Sequence, residues 1–306
     1  MKVLIIGLGS IAQKHIDAIN KIDQSSLIFA LRSNTNSKSF TNIIDLYNFA
    51  DVPNDIDFIL ISNPTSLHSK TILKVIDFNK PLFIEKPVFD SIINNEEIVK
   101  LIEKKNIKTY VGCNLRFHPA LNFIKTYLNT GNSKINEVNV YCGSYLPNWR
   151  PQQDYTKSYS ANKKLGGGVH LDLIHELDYT IWMFGKPINY NSIKRKVSNL
   201  SIETFDYASY NLSYPDFNVS ITLNYYRTTP KRQIEIVLEN ETLICDLLTS
   251  TIFNSVNKLI FTDNEFDSSK TYLNQMNYFI ANLKNEYMYM NNINESFEIL
   301  KIALND

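Results

Sequence analysis

In the first part of the chain, short apolar runs alternate with stretches whose apolar positions recur every three or four residues. The runs Val3–Ile6, Leu27–Leu31, Phe58–Ile61, Leu82–Ile84 and Lys108–Val111 predict buried strands. Ile11–Ile22, Ser66–Phe78 and Ser91–Lys105 predict helices, and a shorter helix is expected around Ile43–Phe49. This alternation predicts a doubly wound parallel sheet flanked by helices. The pattern then changes. A helix over Ala120–Leu128 leads to a long strand, Ile135–Tyr145, and a polar, aromatic-rich loop, Leu146–Leu165. Helical spacing over Leu171–Phe184 stops at Gly185, with Pro187 just beyond. From Ile188 to Thr262 only strands are expected, including Tyr207–Ser213, Asn218–Tyr226 and Gln233–Leu238. Their alternation predicts one packed face and one face of apolar residues left exposed or covered by another subunit. Helices near Ser269–Tyr289 and Glu295–Leu304 close the chain.

Composition narrows the possibilities. The 306 residues are 44% hydrophobic and carry 31 Lys plus Arg against 31 Asp plus Glu, a balance with no footprint for nucleic acid or an acidic membrane. Cys113, Cys142 and Cys245 are odd in number and form no CxxC pair, which predicts a reducing compartment, no disulfide framework and no metal site. No apolar run approaches the ~18 to 20 residues that span a bilayer. The apolar start, Val3–Ile6, is too short for a signal peptide and turns into a glycine-rich loop. A cytoplasmic protein is expected.

That loop, Gly7-Leu8-Gly9-Ser10-Ile11-Ala12, fits G-x-G-x-x-G/A directly after a strand and before a helix. The first glycine permits the turn, the second lets backbone approach a pyrophosphate, and Ala12 lets helix and strand pack closely. The helix N-terminus, at Ser10 and Ile11, offers N–H groups to phosphate. An ordinary glycine-rich turn is the alternative. The second strand ends Ala30-Leu31-Arg32-Ser33, without the acid that binds a ribose 2′-hydroxyl in NAD-selective sites. Arg32 and Ser33 suit a 2′-phosphate, so NADP(H) is favoured and NAD(H) remains possible; Arg32 as a solvated surface residue is the bland alternative.

Three further patches follow in order: Asn63-Pro64-Thr65-Ser66-Leu67-His68, Glu85-Lys86-Pro87, and Gly166-Gly167-Gly168-Val169-His170-Leu171-Asp172-Leu173-Ile174-His175-Glu176-Leu177-Asp178. With the glycine fingerprint, they resemble the Gfo/Idh/MocA oxidoreductase family over most of the chain, most strongly up to about Gly185. The resemblance implies a Rossmann domain over residues 1–118. It also implies an α+β substrate-binding and oligomerisation domain over 119–306, with a large open, mostly antiparallel sheet.

The same resemblance implies roles. Asn63, Pro64, Thr65 and His68 line the nicotinamide and ribose, and Glu85 contacts the cofactor ribose. Lys86 lies beside the nicotinamide and binds the substrate hydroxyl, and the peptide before Pro87 is cis in many members. His175 is the candidate general acid/base, because an imidazole titrates near working pH; a buried structural histidine is the alternative. Asp172, three residues earlier on the same helical face, orients His175 or binds a sugar hydroxyl. Here the chain departs from the family. The usual interval is four residues, often with Gly between, and a shift of one residue rotates Asp172 by about 100°. Asp178 or Glu176 is then a substitute.

Gly112-Cys113-Asn114-Leu115-Arg116-Phe117-His118-Pro119 resembles the family's segment at the domain junction, which implies that Asn114 faces cofactor or substrate and Arg116 braces the junction, with His118 either functional or structural. The loop Asn148–Tyr155 offers Arg150 and Tyr155 to a sugar bearing phosphate or nucleotide, or serves as an interface. Lys157, Lys163 and Lys164 are the other cations near it. Reversible hydride transfer at a secondary hydroxyl or keto carbon of a sugar is therefore expected. Similarity to family members in such pathways implies a nucleotide-linked sugar destined for a surface glycan; an inositol- or aldose-type dehydrogenase is the alternative. A dinucleotide-binding sensor without turnover is the reading from another class. A homodimer or homotetramer through the open sheet is expected.

Overall fold

The computed structural model describes residues 1–33, 40–131, 133–285 and 289–305. Their contacts divide the chain into two compact units, Met1–Asn114 with Ser269–Leu300, and Leu115–Ser268 with the chain end from Lys301.

The first unit begins β1 (Lys2–Ile6), α1 (Ser10–Ile22), β2 (Leu27–Leu31), β3 (Ile43–Leu46), β4 (Phe58–Ile61), α2 (His68–Val75), β5 (Leu82–Glu85), α3 (Asn95–Lys104) and β6 (Thr109–Gly112). The six strands form one parallel sheet in the order β3-β2-β1-β4-β5-β6, the doubly wound Rossmann topology. The central strands are apolar because helices cover both faces; Phe58, Ile59, Leu60 and Ile61 are all fully buried. The expected helix around Ile43–Phe49 is absent. Ile43–Leu46 pairs in parallel with β2, from Ile28↔Ile43 to Leu31↔Leu46, and only a single 3-10 turn follows at Phe49–Asp51. Ile43, Ile44, Leu46 and Tyr47 satisfy helical spacing as well as strand spacing, and pairing at the sheet edge decides between them.

The second unit continues with α4 (Pro119–Thr130), β7 (Ile135–Gly143), α5 (Val169–Asp172), α6 (His175–Phe184), β8 (Asn189–Arg195), β9 (Tyr207–Ser213), β10 (Asn218–Asn224), β11 (Lys231–Leu238), β12 (Thr242–Asp246), β13 (Thr251–Phe253) and β14 (Leu259–Thr262). Its eight-stranded sheet runs β14-β13-β12-β11-β7-β10-β9-β8, antiparallel except for the β7–β10 pair. One face is core, including Val138, Val140, Tyr210, Leu212, Ile221 and Ile234. The other is more polar than the alternation suggests. One register row crosses it as Asn191, Asn211, Ser220, Asn139, Glu235, Ile244 and Phe253.

Two helices end the chain, α7 (Ser268–Ala281) and α8 (Ile293–Leu304). The expected helix to Tyr289 stops early: Asn282 and Leu283 make i→i−3 bonds to Phe279 and Ile280, a tightening that closes a helix. Positions 286–288 of that expected helix lie outside the described residues. Among the described residues no helix is long and apolar enough to cross a membrane.

Candidate active site

In the first unit the site is built on the carboxyl edge of β1, β4, β5 and β6, where doubly wound sheets bind ligands. Gly7 has φ +99°, and a Cβ there would lie 2.2 Å from the Asn63 amide nitrogen, so the β1 and β4 loops touch backbone to backbone. Ser62 Oγ donates to the Gly7 carbonyl at 2.7 Å and ties them further. Beside it the loop is open: a Cβ on Gly9 would meet nothing within 4 Å. Gly9 is the N-cap of α1 and makes no side-chain cap bond, so the N–H groups of Ser10, Ile11 and Ala12 lie ahead of the intrahelical ladder. Ala12 is fully buried. This open loop, with helix N–H groups beyond it, fits a dinucleotide pyrophosphate.

Arg32, just past β2, donates from Nη1 to Asp45 Oδ1 at 2.8 Å, with the side chains 8% and 13% exposed. Ser33 follows, exposed. Asp45 stands on β3, the strand that the sequence pattern reads as helix, and this acid beside Arg32 was missed with it.

Asn63 donates from Nδ2 to Thr71 Oγ1 at 2.8 Å, and its Oδ1 is buried without a hydrogen-bond partner. Pro64 is exposed and Thr65 buried. His68 is buried: Nδ1 lies 3.0 Å from the Val88 carbonyl and Nε2 3.0 Å from that of Asn63. Burial lowers its pKa, opposed by the two carbonyls. The imidazole therefore pins the β4 and β5 loops together. Glu85 is buried against His15, with its Oε1 2.5 Å from His15 Nε2. Lys86 is half-buried and the Lys86–Pro87 peptide is cis. Asn114 is buried and donates to Thr271 Oγ1 at 2.6 Å.

In the second unit, Gly167 and Gly168 lead into α5; a Cβ on Gly167 would lie 2.2 Å from the Tyr159 carbonyl oxygen. Asp172 and His175 do not share one continuous helix as expected. α5 ends at Asp172, Leu173 departs from helical geometry (ψ 29°), and α6 begins at His175. Asp172 Oδ2 instead accepts from Tyr225 Oη at 2.5 Å. The Tyr225 hydroxyl has its pKa raised by burial first and by Asp172 second, so it remains a donor. Trp149 packs edge-on against Tyr225, ring centres 5.3 Å apart, and its Nε1 donates to Ser144 Oγ at 2.8 Å. The Asn148–Tyr155 loop is thus joined to Asp172 through Tyr225, a strand-end tyrosine that carries no motif to reveal it.

The two acids offered as substitutes for Asp172 are engaged elsewhere. Asp178 takes Arg116 Nε and Nη2 at 3.0 and 2.7 Å, with both side chains almost completely buried. Glu176 accepts from Arg232 Nε at 2.7 Å. Arg150 is exposed and Tyr155 half-buried, its hydroxyl 3.3 Å from the Ser201 amide.

Comparison with known proteins matches residues 1–113 to the oxidoreductase family's NAD-binding Rossmann fold and residues 130–302 to its C-terminal alpha/beta domain. An uncharacterised oxidoreductase of Bacillus subtilis is 27% identical over 192 residues, 60% of this chain and 54% of that protein. Glucose-6-phosphate 3-dehydrogenase of the same organism is 25% identical over 66% of this chain and 59% of its own length. The matched part thus spans little more than half of these relatives. Levoglucosan dehydrogenase, solved with NADH, shares the fold at a TM-score of 0.86 over 99% of this chain and 95% of its own, with 14% identity.

Proposed function

The chain belongs to the Gfo/Idh/MocA oxidoreductase family, and from that premise we propose that it moves a hydride between a nicotinamide dinucleotide and a secondary hydroxyl or keto carbon of a sugar. Four neighbouring strand ends carry this reading: Glu85 ends β5, and Gly7, Asn63 and Asn114 lie just past β1, β4 and β6, along one edge of a parallel sheet. When bound, the dinucleotide supplies the hydride acceptor or donor. Gly7, Gly9 and the first turn of α1 hold its pyrophosphate, and Asn63, Thr65 and Glu85 hold its ribose end. In the oxidative direction Lys86 donates a hydrogen bond to the substrate hydroxyl oxygen. His175 takes the hydroxyl proton as the C–H hydride departs, leaving a ketone. Asp172, fixed by Tyr225, orients a sugar hydroxyl.

NADP(H) is the preferred dinucleotide through Arg32 and Ser33, with Asp45 tempering the preference so that NAD(H) is also accepted. Trp149, Arg150 and Tyr155 suit a sugar bearing phosphate or a nucleotide. The named activity of the Bacillus subtilis glucose-6-phosphate 3-dehydrogenase supports a phosphorylated sugar.

The test is a titration with NADPH and NADH followed by nicotinamide fluorescence, then a sugar screen with the tighter binder. Lys86→Ala is expected to bind dinucleotide nearly as wild type does, yet to lose on the order of 10²-fold or more in turnover. A wild-type chain that binds neither dinucleotide would sink the proposal.

A further inference from the structure

A buried histidine holds the carboxylate that immediately precedes Lys86. His15, on α1, is fully buried, and its Nε2 lies 2.5 Å from Glu85 Oε1. The ring meets Phe83 edge-on at 4.8 Å between centres and Tyr272 at 6.0 Å, contacts that set its plane. Phe83 and Glu85 are two residues apart on β5 and so share a face of the sheet. On the next strand Gly112 is paired with Glu85, and a Cβ there would lie 2.9 Å from Glu85 Oε1 and 3.1 Å from the Phe83 ring. Absence of that side chain leaves room for the carboxylate. The other oxygen, Oε2, lies 3.3 Å from the Lys86 amide, a weak bond.

This arrangement is poor value for folding alone. Burying an imidazole and a carboxylate is costly unless both are fully satisfied, and apolar residues of the same volume pack as well or better. Satisfaction here is incomplete: His15 Nδ1 is buried without a hydrogen-bond partner. Facing a carboxylate, Nε2 carries the proton and donates it. What the pair accomplishes is to fix the rotamer of Glu85 at a strand end, next to the residue that contacts substrate.

We propose that His15 is a positioning residue for hydride transfer: its Nε2–H holds Glu85 Oε1 and thereby sets Glu85, and the adjoining Lys86, against the dinucleotide. The proposal rests on the hydride-transfer reading above, which gives this edge its cofactor and substrate.

Two variants separate a hydrogen bond from packing. His15→Phe keeps a ring and removes the donor, whereas His15→Gln keeps an N–H donor. Each is titrated with the preferred dinucleotide by nicotinamide fluorescence and assayed for kcat and KM, alone and combined with Glu85→Gln. His15→Phe is expected to raise the dinucleotide Kd and lower kcat, together by on the order of tenfold or more, as an unpaired buried carboxylate requires. His15→Gln is expected to recover to within about threefold of wild type. Once Glu85 is Gln, His15→Phe should add little, because the partner it serves is already altered.

Full activity in His15→Phe, equal losses in Phe and Gln variants, or losses that multiply in the double variant would each overturn the role. If His15→Phe does not fold, the same ordering is read from His15→Gln against His15→Asn, whose shorter side chain falls short of Glu85. Wild type that binds neither NADH nor NADPH overturns the hydride-transfer reading and this one with it. Wild-type turnover with indifferent His15 variants overturns the positioning role alone.

Discussion

Asp45 shares the Arg32 guanidinium that a 2′-phosphate would engage. The two side chains are mostly shielded, so their attraction is stronger than that of a surface pair, and a phosphate arriving at Arg32 meets the carboxylate as well. Asp45→Asn keeps the size and removes the charge. It is expected to raise the preference for NADPH over NADH on the order of tenfold, about 1.4 kcal/mol, in the same fluorescence titration. No change, or a shift toward NADH, would mean that Arg32 is not the 2′-phosphate ligand. Single residues also mark where sequence legibility stops. Gly7 and Lys86 are visible because each sits in a short motif tied to a strand end. Asp45 and Tyr225 are not, because their partners, Arg32 and Asp172, lie 13 and 53 positions away and only folding brings them together.

Elements show the same division, between what periodicity encodes and what pairing decides. The strand β4 is readable because burial on both faces demands an unbroken apolar run. The edge strand β3 buries only Leu46, so its pattern is weak. The break between α5 and α6 falls at Leu173-Ile174, two good apolar helix positions without Gly or Pro, and the pattern reads straight through it. The start of α4 carries a prediction of its own. His118 caps that helix by accepting the Ala120 N–H at Nδ1, 3.2 Å, while Nε2 donates to the Leu247 carbonyl at 3.1 Å, so the neutral ring fits both. Burial, reinforced by Arg232, pushes this imidazole from 6.5 down to about 4. Between those values the unfolded chain takes up a proton that the folded chain refuses. Stability is therefore complete above about pH 6.5 and falls as pH drops toward 4. At pH 5 the loss from this one group is about 2 kcal/mol. Urea unfolding at pH 7.5 and pH 5 should show it, and His118→Asn, which retains a capping oxygen, should lessen the difference. An unchanged difference would assign the acid sensitivity to other groups.

At the scale of the whole molecule, the order of the motifs along the chain made the family legible, but not the return of Ser269–Leu300 to the first unit. An amphipathic helix states that it has a buried face, not which sheet buries it. The open face of the second sheet poses the remaining question of assembly. Its central row mixes Asn, Ser and Glu with Ile244 and Phe253, and Phe253 is 37% exposed. Toward one end Arg227 and Lys231 both approach the Tyr141 ring, each 5.2 Å from its centre. Glu137 lies four residues back from Tyr141 on β7, toward the other end of the face. Two copies related by a two-fold axis through this face would set the cationic end of one opposite the Glu137 end of the other, the self-complementarity that a closed dimer needs. A homodimer, or a homotetramer built from it, is therefore expected in sedimentation equilibrium, weakening as salt is raised because these charges are partly exposed. Ser220→Lys at the centre of the row should drive the chain toward monomer while leaving dinucleotide affinity within about threefold. Wild type that sediments as a monomer at every concentration tested, or a Ser220→Lys chain that stays associated, would remove this face from the assembly.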